Sequence, residues 1–149
     1  MIVLDTNILV YAYHPQLPQH NVVKTWLEST LNQRSSIGLV WPAISGFVRI
    51  STNRRIFETP MTSEAATGYV ADLLDYPLVR ELHTTDKHWR IFSDLLIDTN
   101  SVGDIVADAH IAAIAFEHKA SVASCDKDFR RFSDYVKIID PMKKRSLRR

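Results

Sequence analysis

The sequence predicts an α/β domain, a parallel sheet of about five strands with helices on both faces. Three observations carry this reading. Short apolar runs alternate with amphipathic segments along the chain. Hairpin signals such as Asn-Gly are absent. At 149 residues and 46% hydrophobic, the chain suits one domain, which at this length buries roughly 70% of the surface its unfolded form exposes.

"MIVLD" reads as a buried first strand ended by Asp5. "TNILVYAYH" is a short helix capped by Thr6 or Asn7. "PQHNVVKTWLESTLNQ" is a second, with Pro18 in its first turn and Val22, Val23, Trp26, Leu27 and Leu31 on one stripe. "SIGLV" is the next strand, and "PAISGFVRIST" a helix opened by Pro42. "TSEAATGYVADLLDY" is a helix opened by Thr62 and closed before Pro77. "LVREL" is a third strand, and "DKHWRIFSDLLIDT" a helix placing Trp89, Phe92, Leu95 and Leu96 on one face. The segment "GDIVADAHIAAIAFEHKASVASCDKDF", residues 103–129, then supplies a small-residue helix and a fourth strand, "SVAS". A helical turn "KDFRRF" separates this strand from a fifth, "VKIID". No internal repeat or second domain is evident, so residues 1–142 form the domain and residues 143–149, "KKRSLRR", a basic and flexible tail.

Charge divides by position. The tail carries five of the 18 Lys and Arg, leaving thirteen in residues 1–142 against all 17 Asp and Glu, a net of −4. The body is mildly acidic, and a basic end of this kind reads as solvated. Cys125 is the only cysteine. This excludes a disulfide framework and zinc-finger spacing. With no apolar run long enough to span a bilayer and no leader-like start, the expectation is a cytoplasmic protein.

Asp104, Asp108, Asp126 and Asp128 crowd a segment whose middle is apolar. In an open parallel sheet, ligands bind beyond the carboxyl ends of the strands, where strand order reverses. Asp5 ends the first strand and Asp126 follows the fourth, so these two meet if the strands are neighbours. Asp104 and Asp108 are spaced i and i+4 and project from one face of the first turns of their helix, where the macrodipole favours negative charge. Each acid alone is readily a cap; their coincidence points to a site. Clustered carboxylates raise one another's pKa unless a cation neutralises them, and oxygen donors without His or Cys suit Mg2+ or Mn2+. Phosphodiester hydrolysis is the natural chemistry of such a site.

The motifs "MIVLDTNILVY", "VADAHIAAIAFEH" and "VASCDKDFRRF", in this order and at this length, resemble PIN-domain nucleases, and more narrowly the VapC toxins of bacterial toxin-antitoxin pairs. The resemblance covers nearly the whole chain. It implies a three-layer Rossmann-like domain, often a homodimer, that cuts RNA with Mg2+ or Mn2+ held by acids and is silenced by a small VapB-like antitoxin. By position, Asp5 matches the first family acid, Asp108 the third and Asp126 the fourth, with Asp128 auxiliary. The second acid, usually a Glu, falls within "WPAISGFVRIST", which contains none. With Arg49 as register mark, Gly46 stands there, and Asp104 is the candidate to compensate.

Arg49, Arg54 and Arg55, near the helix expected to border the cleft, are candidates for RNA phosphates, the alternative being a solvated polar face. Trp41 and Phe47 read as core rather than as base-stacking rings. None of the six histidines has zinc-like company, and Cys125 reads as a small buried hydrophobe. Two other functions stay open on the residues alone. One is a non-catalytic RNA-binding or scaffold domain, given the missing acid. The other is a phosphatase with a nucleophilic Asp, which wants a second acid two residues after Asp5 where Asn7 stands.

Overall fold

A computed structural model describes residues 1–143; the part of the basic tail from 144 to 149 lies outside the described residues. The elements run β1 (Ile2–Leu4), α1 (Thr6–Tyr13), α2 (His20–Asn32), β2 (Ile37–Leu39), α3 (Trp41–Ser51), α4 (Ser63–Leu74), β3 (Val79–Glu81), α5 (His88–Asp98), α6 (Ile105–Glu117), β4 (Ser121–Ala123), a 3-10 turn (Lys127–Phe132) and β5 (Ile138–Ile139). The five strands form one sheet in the order β3-β2-β1-β4-β5, and every pair is parallel. Among the described residues no helix is long and apolar enough to cross a membrane.

This order dictates the layers. The chain steps outward from β1 through β2 to β3 and then returns across the sheet to β4. Right-handed crossovers put the helices of the outward steps on one face and those of the return on the other. On the first face α1 packs against α2 and α3, and α3 against α4; on the second α5 packs on α6, which lies against β1 and β4. Val3, Leu4, Ile37, Leu39, Val122 and Ala123 are wholly buried. The strands therefore read as continuous apolar runs, as in sheets covered on both sides. α6 buries Ala109, Ile111, Ala112, Ala113, Ile114 and Ala115. A helix apolar round so much of its girth is one enclosed by neighbours, and its alanines permit close approach to the sheet.

Several local expectations change. α1 is capped by Asp5, whose side chain accepts from the Thr6 N–H, rather than by Thr6 or Asn7. Pro18 lies in the turn before α2, which begins at His20. On α2 Val23 and Leu27 are buried, but Val22 faces solvent. Trp89 of α5 is 73% exposed while Leu95 is buried, so Trp89 does not share the packed face. Trp41 is 52% exposed at the start of α3, against the core reading, whereas Phe47 is fully buried as expected. Thr62 caps α4 through its hydroxyl, as read from sequence.

Gly38 in β2 shows how tightly the sheet is covered. A β-carbon there would lie 2.5 Å from Leu82 Cδ1 and 3.3 Å from Val3 Cγ2. Because Leu82 is itself buried, it has little room to retreat. Gly38→Ala is expected to lower unfolding stability by about 1–3 kcal/mol through overpacking. Urea unfolding of the two proteins measures this; equal midpoints and slopes would show that Leu82 repacks without cost.

Candidate active site

β1 and β4 are neighbours at the reversal point of the sheet, paired Val3 to Val122 and Leu4 to Ala123. The Asp5 N–H continues this ladder by donating to the Ala123 carbonyl at 3.0 Å. Asp5 therefore sits at the carboxyl end of β1, only 2% exposed. A carboxylate taken so far from water must be hydrogen-bonded. Oδ1 accepts from the Thr6 N–H at 2.7 Å, and Oδ2 accepts from the Ser124 hydroxyl at 2.7 Å and the Asn7 amide at 3.1 Å. Asn7 also accepts from the Cys125 N–H at 3.1 Å, and Ser124 Oγ accepts from the Asp126 N–H at 3.1 Å. The ends of β1 and β4 are thus stitched together through Asn7 and Ser124.

The other acids arrive from two directions. Asp126 caps the 3-10 turn, accepting from the Asp128 N–H at 2.8 Å, and is exposed. Asp108 comes from the first turn of α6 and is half-buried. Asp5, Asp108 and Asp126 line one pocket of about 270 Å3 together with Thr6, Asn7, Val10, Tyr11 and Ile50. Asp128 is exposed beside it. Asp104 is exposed at the N-cap of α6, makes no side-chain capping bond and lies outside this lining.

The electrostatics follow from burial and proximity. Burial pushes the Asp5 carboxyl up to about 6, against the pull of the hydrogen bonds from Ser124, Thr6 and Asn7, and the Asp126 charge adds to the rise. Asp108 rises to about 7, first by burial and then by the charges of Asp5, Asp126 and Asp128, with Arg131 opposing. Among the described residues no donor reaches the Asp108 carboxylate. Its rise therefore reflects a charge with too little compensation.

These residues suit a hard divalent cation by donor chemistry: oxygen ligands only, mutually repelling, one of them without a partner. Among the described residues no three His, Cys, Asp or Glu side chains are closed round a point as metal ligands. The acids form a lined pocket rather than a finished coordination shell.

The remaining sequence candidates are distributed unevenly. Arg49 is exposed in the last turn of α3, next to Ile50 in the pocket wall; Arg54 and Arg55 are exposed in the turn beyond α3. Gly46 is buried, and a β-carbon there would lie 3.0 Å from Thr6 Cγ2 and Oγ1. The position matched to the family Glu thus abuts the residue after Asp5. Cys125 is half-buried, and burial, with the charges of Asp140 and Asp5, pushes its thiol up to about 12, so it is not a nucleophile at neutral pH. Sequence reading missed Ser124, Arg130 and Arg131. The signal was present: Ser124 lies two residues before Asp126, and both arginines follow Asp128 in "KDFRRF".

The upward shifts fix a sign. Neutral Asp5 and Asp108 are favoured in the folded chain, so the stability they contribute is complete below the ordinary value of 3.8 and is lost as pH rises through about 6 and about 7. In EDTA, the melting temperature should carry an Asp108-dependent fall between about pH 4 and 7. Asp108→Asn should flatten that part of the profile and melt higher than the unsubstituted chain at pH 8. Parallel profiles for the two proteins would remove Asp108 as the source.

The model of the family described as "PIN domain" matches residues 2–135. Ribonuclease VapC33 of Mycobacterium tuberculosis is 36% identical over 96% of this chain and 99% of its own length. Ribonuclease VapC43 of the same organism is 37% identical over 89% of this chain and 90% of its own. Among solved structures, VapBC2 from Rickettsia felis bound to a promoter DNA fragment superposes with a TM-score of 0.69 at 17% identity, covering 94% of this chain and 98% of that one. The sarcin-ricin-loop-cleaving toxin VapC20 of M. tuberculosis superposes at 0.68 with 16% identity, covering 92% and 98%. At such identities the superpositions speak to the fold, and the sequence matches to kinship. The chain belongs to the PIN-domain family, within its VapC ribonuclease branch.

Proposed function

We propose that this chain is a cytoplasmic, divalent-metal-dependent ribonuclease of toxin-antitoxin type, hydrolysing RNA phosphodiester bonds at the pocket of Asp5, Asp108 and Asp126. The observation that carries this reading is the under-compensated carboxylate set at the carboxyl ends of β1 and β4. RNA as substrate agrees with the ribonuclease names of relatives that match nearly the whole chain.

Asp5, Asp108 and Asp126 are the residues to hold Mg2+ or Mn2+, with Asp128 close enough to add charge. When bound, the ion supplies neutralisation of the acids, activation of water and stabilisation of charge developing on the phosphate. The chain itself does the positioning. Ser124, Asn7 and the Thr6 N–H fix the Asp5 carboxylate, so this group cannot turn away from the pocket. α6, enclosed on several sides, holds Asp108 opposite it. Arg131 offsets part of the acid charge felt by Asp108. Arg49, exposed beside Ile50 of the pocket wall, and exposed Arg54 and Arg55 are the residues to contact RNA phosphates.

Control by a small VapB-like antitoxin, and assembly as a homodimer, complete the proposal. Solved neighbours of the same fold include toxin-antitoxin complexes. An antitoxin Arg or Lys would satisfy the same carboxylates that the metal does. Asp104, exposed at the N-cap of α6 and outside the pocket lining, would reach a bound ion only through water.

Asp5→Asn, Asp108→Asn and Asp126→Asn remove one anionic oxygen donor each with little change in volume. Each is expected to lower manganese-dependent cleavage of a purified RNA by about 100-fold or more, since a metal's Lewis-acid contribution is several kcal/mol and each 1.4 kcal/mol is tenfold. Circular dichroism should show all three folded. Undiminished cleavage by Asp108→Asn in chelator-controlled buffer sinks the assignment.

A further inference from the structure

A second cavity of about 330 Å3 borders the acid pocket at Asp126. Its lining includes Asp126, Arg130, Ser133, Lys137, Asp140 and Lys143. Asp126 belongs to both cavities, so the two share a wall. The first is lined by carboxylates; the second presents three cations and one hydroxyl against two acids.

The chain builds this arrangement from three connections. Arg130 and Ser133 come from the 3-10 turn that Asp126 caps, and that turn is anchored by buried Phe129 and Phe132. Lys137 precedes β5, which pairs with β4. Past β5 the chain folds back: the Met142 N–H donates to Asp140 Oδ1 at 2.9 Å and the Lys143 N–H to the Asp140 carbonyl at 3.1 Å. This turn brings Lys143 to the cavity and occupies one oxygen of Asp140. Despite two carboxylates nearby, Arg130, Lys137 and Lys143 form no ion pair among the described residues. Cations gathered in a concavity and left unpaired are suited to an anion from outside, and a polar hydroxyl adds a donor.

We infer that this cavity seats the RNA phosphate next to the one being cut, held by Arg130, Lys137 and Lys143. The inference rests on the ribonuclease reading and adds to it where the strand runs: from the acid pocket, past Asp126, toward β5. A polyanion meeting an acidic centre gains its affinity from such flanking contacts, which set register without reading bases. RNA should therefore be gripped through at least one phosphate beyond the scissile one.

The test uses the full chain and a fluorescein-labelled single-stranded RNA of about eight nucleotides, with binding measured against salt in EDTA. Arg130→Ala, Lys137→Ala and Lys143→Ala should each weaken binding and each lower the slope of log Kd against log salt by about 0.7, the value for one phosphate contact on a single strand. Lys24→Ala, whose side chain is exposed on α2 near Glu28, should leave the slope unchanged. RNAs in which one phosphate at a time is replaced by a neutral methylphosphonate locate the contact: one position should weaken the unsubstituted chain and have little effect on the Lys143→Ala variant. Unchanged slopes in all three variants overturn the inference, as does a loss matched by Lys24→Ala. Cleavage in manganese is followed separately. If the unsubstituted chain cuts no RNA, the ribonuclease reading fails while the slopes still decide the cavity; if it cuts and the slopes do not move, only the cavity assignment fails.

Discussion

The burial of one carboxylate at the reversal point of the sheet is the constraint on which the rest depends. Asp5 is almost wholly removed from water, which is tolerable only because three donors converge on it. Two of those donors, Thr6 and Asn7, exist because α1 starts immediately after β1. The third, Ser124, exists because β4 and not β2 or β3 lies on that side of β1. The strand order, the abrupt start of α1 and the small polar residue after β4 are thus one requirement met three ways. Asp126 inherits its place from the same stitching, since its N–H bonds the hydroxyl that bonds Asp5.

Elsewhere the chain shows what a satisfied acid looks like. Glu117, at the end of α6, has its side chain fully covered, and it accepts from the N–H and hydroxyl of Thr85 and pairs with His88 Nδ1 at 2.6 Å. Burial alone would raise its pKa, but the bonds from His88 and Thr85 hold it below the ordinary value. Asp108, nine residues earlier on the same helix, moves the opposite way because its burial is not offset by comparable donors and the charges of three acids add to the rise. The helix therefore has a pinned end and an unsatisfied end. An arrangement that costs stability in the free chain and is relieved by a cation is characteristic of a site built for use.

The features legible in the sequence were those set by local pattern. Alternating apolar runs gave the strands, Thr62 gave the start of α4, and the positions of Asp5 and Asp126 after their strands placed them at one edge once the sheet order was fixed. What escaped depended on rotation about helix axes and on loop paths. Trp89 fits a stripe by spacing, yet it is largely exposed while Leu95 is buried. Asp104 and Asp108 are one turn apart by count, but α6 begins at Ile105, so Asp104 sits at the cap with its carboxylate outside the pocket. Asp128, on the 3-10 turn, contributes to the charge felt by Asp108 instead. The arginines sought after β2 were exposed at the far end of α3, whereas Arg130 and Arg131 were adjacent in sequence to acids already singled out. A cation near an acid in sequence reads as its partner, yet Arg130 lines the second cavity without pairing with a carboxylate among the described residues.

That arrangement explains how an acidic centre can serve a polyanion. Asp5 and Asp108 come from elements fixed by the sheet and the enclosed helix, so their geometry is tied to the fold itself. Arg130, Lys137 and Lys143 come from the 3-10 turn, the approach to a two-residue edge strand and the turn after it, connections outside the main helices. In the proposed ribonuclease, the acids meant for chemistry and the cations meant for grip meet at Asp126, which lines both cavities. A sheet edge that keeps its acids while its bordering turns change can retain one reaction and redirect it to different strands, which is why the fold fixes the chemistry more tightly than the choice of RNA.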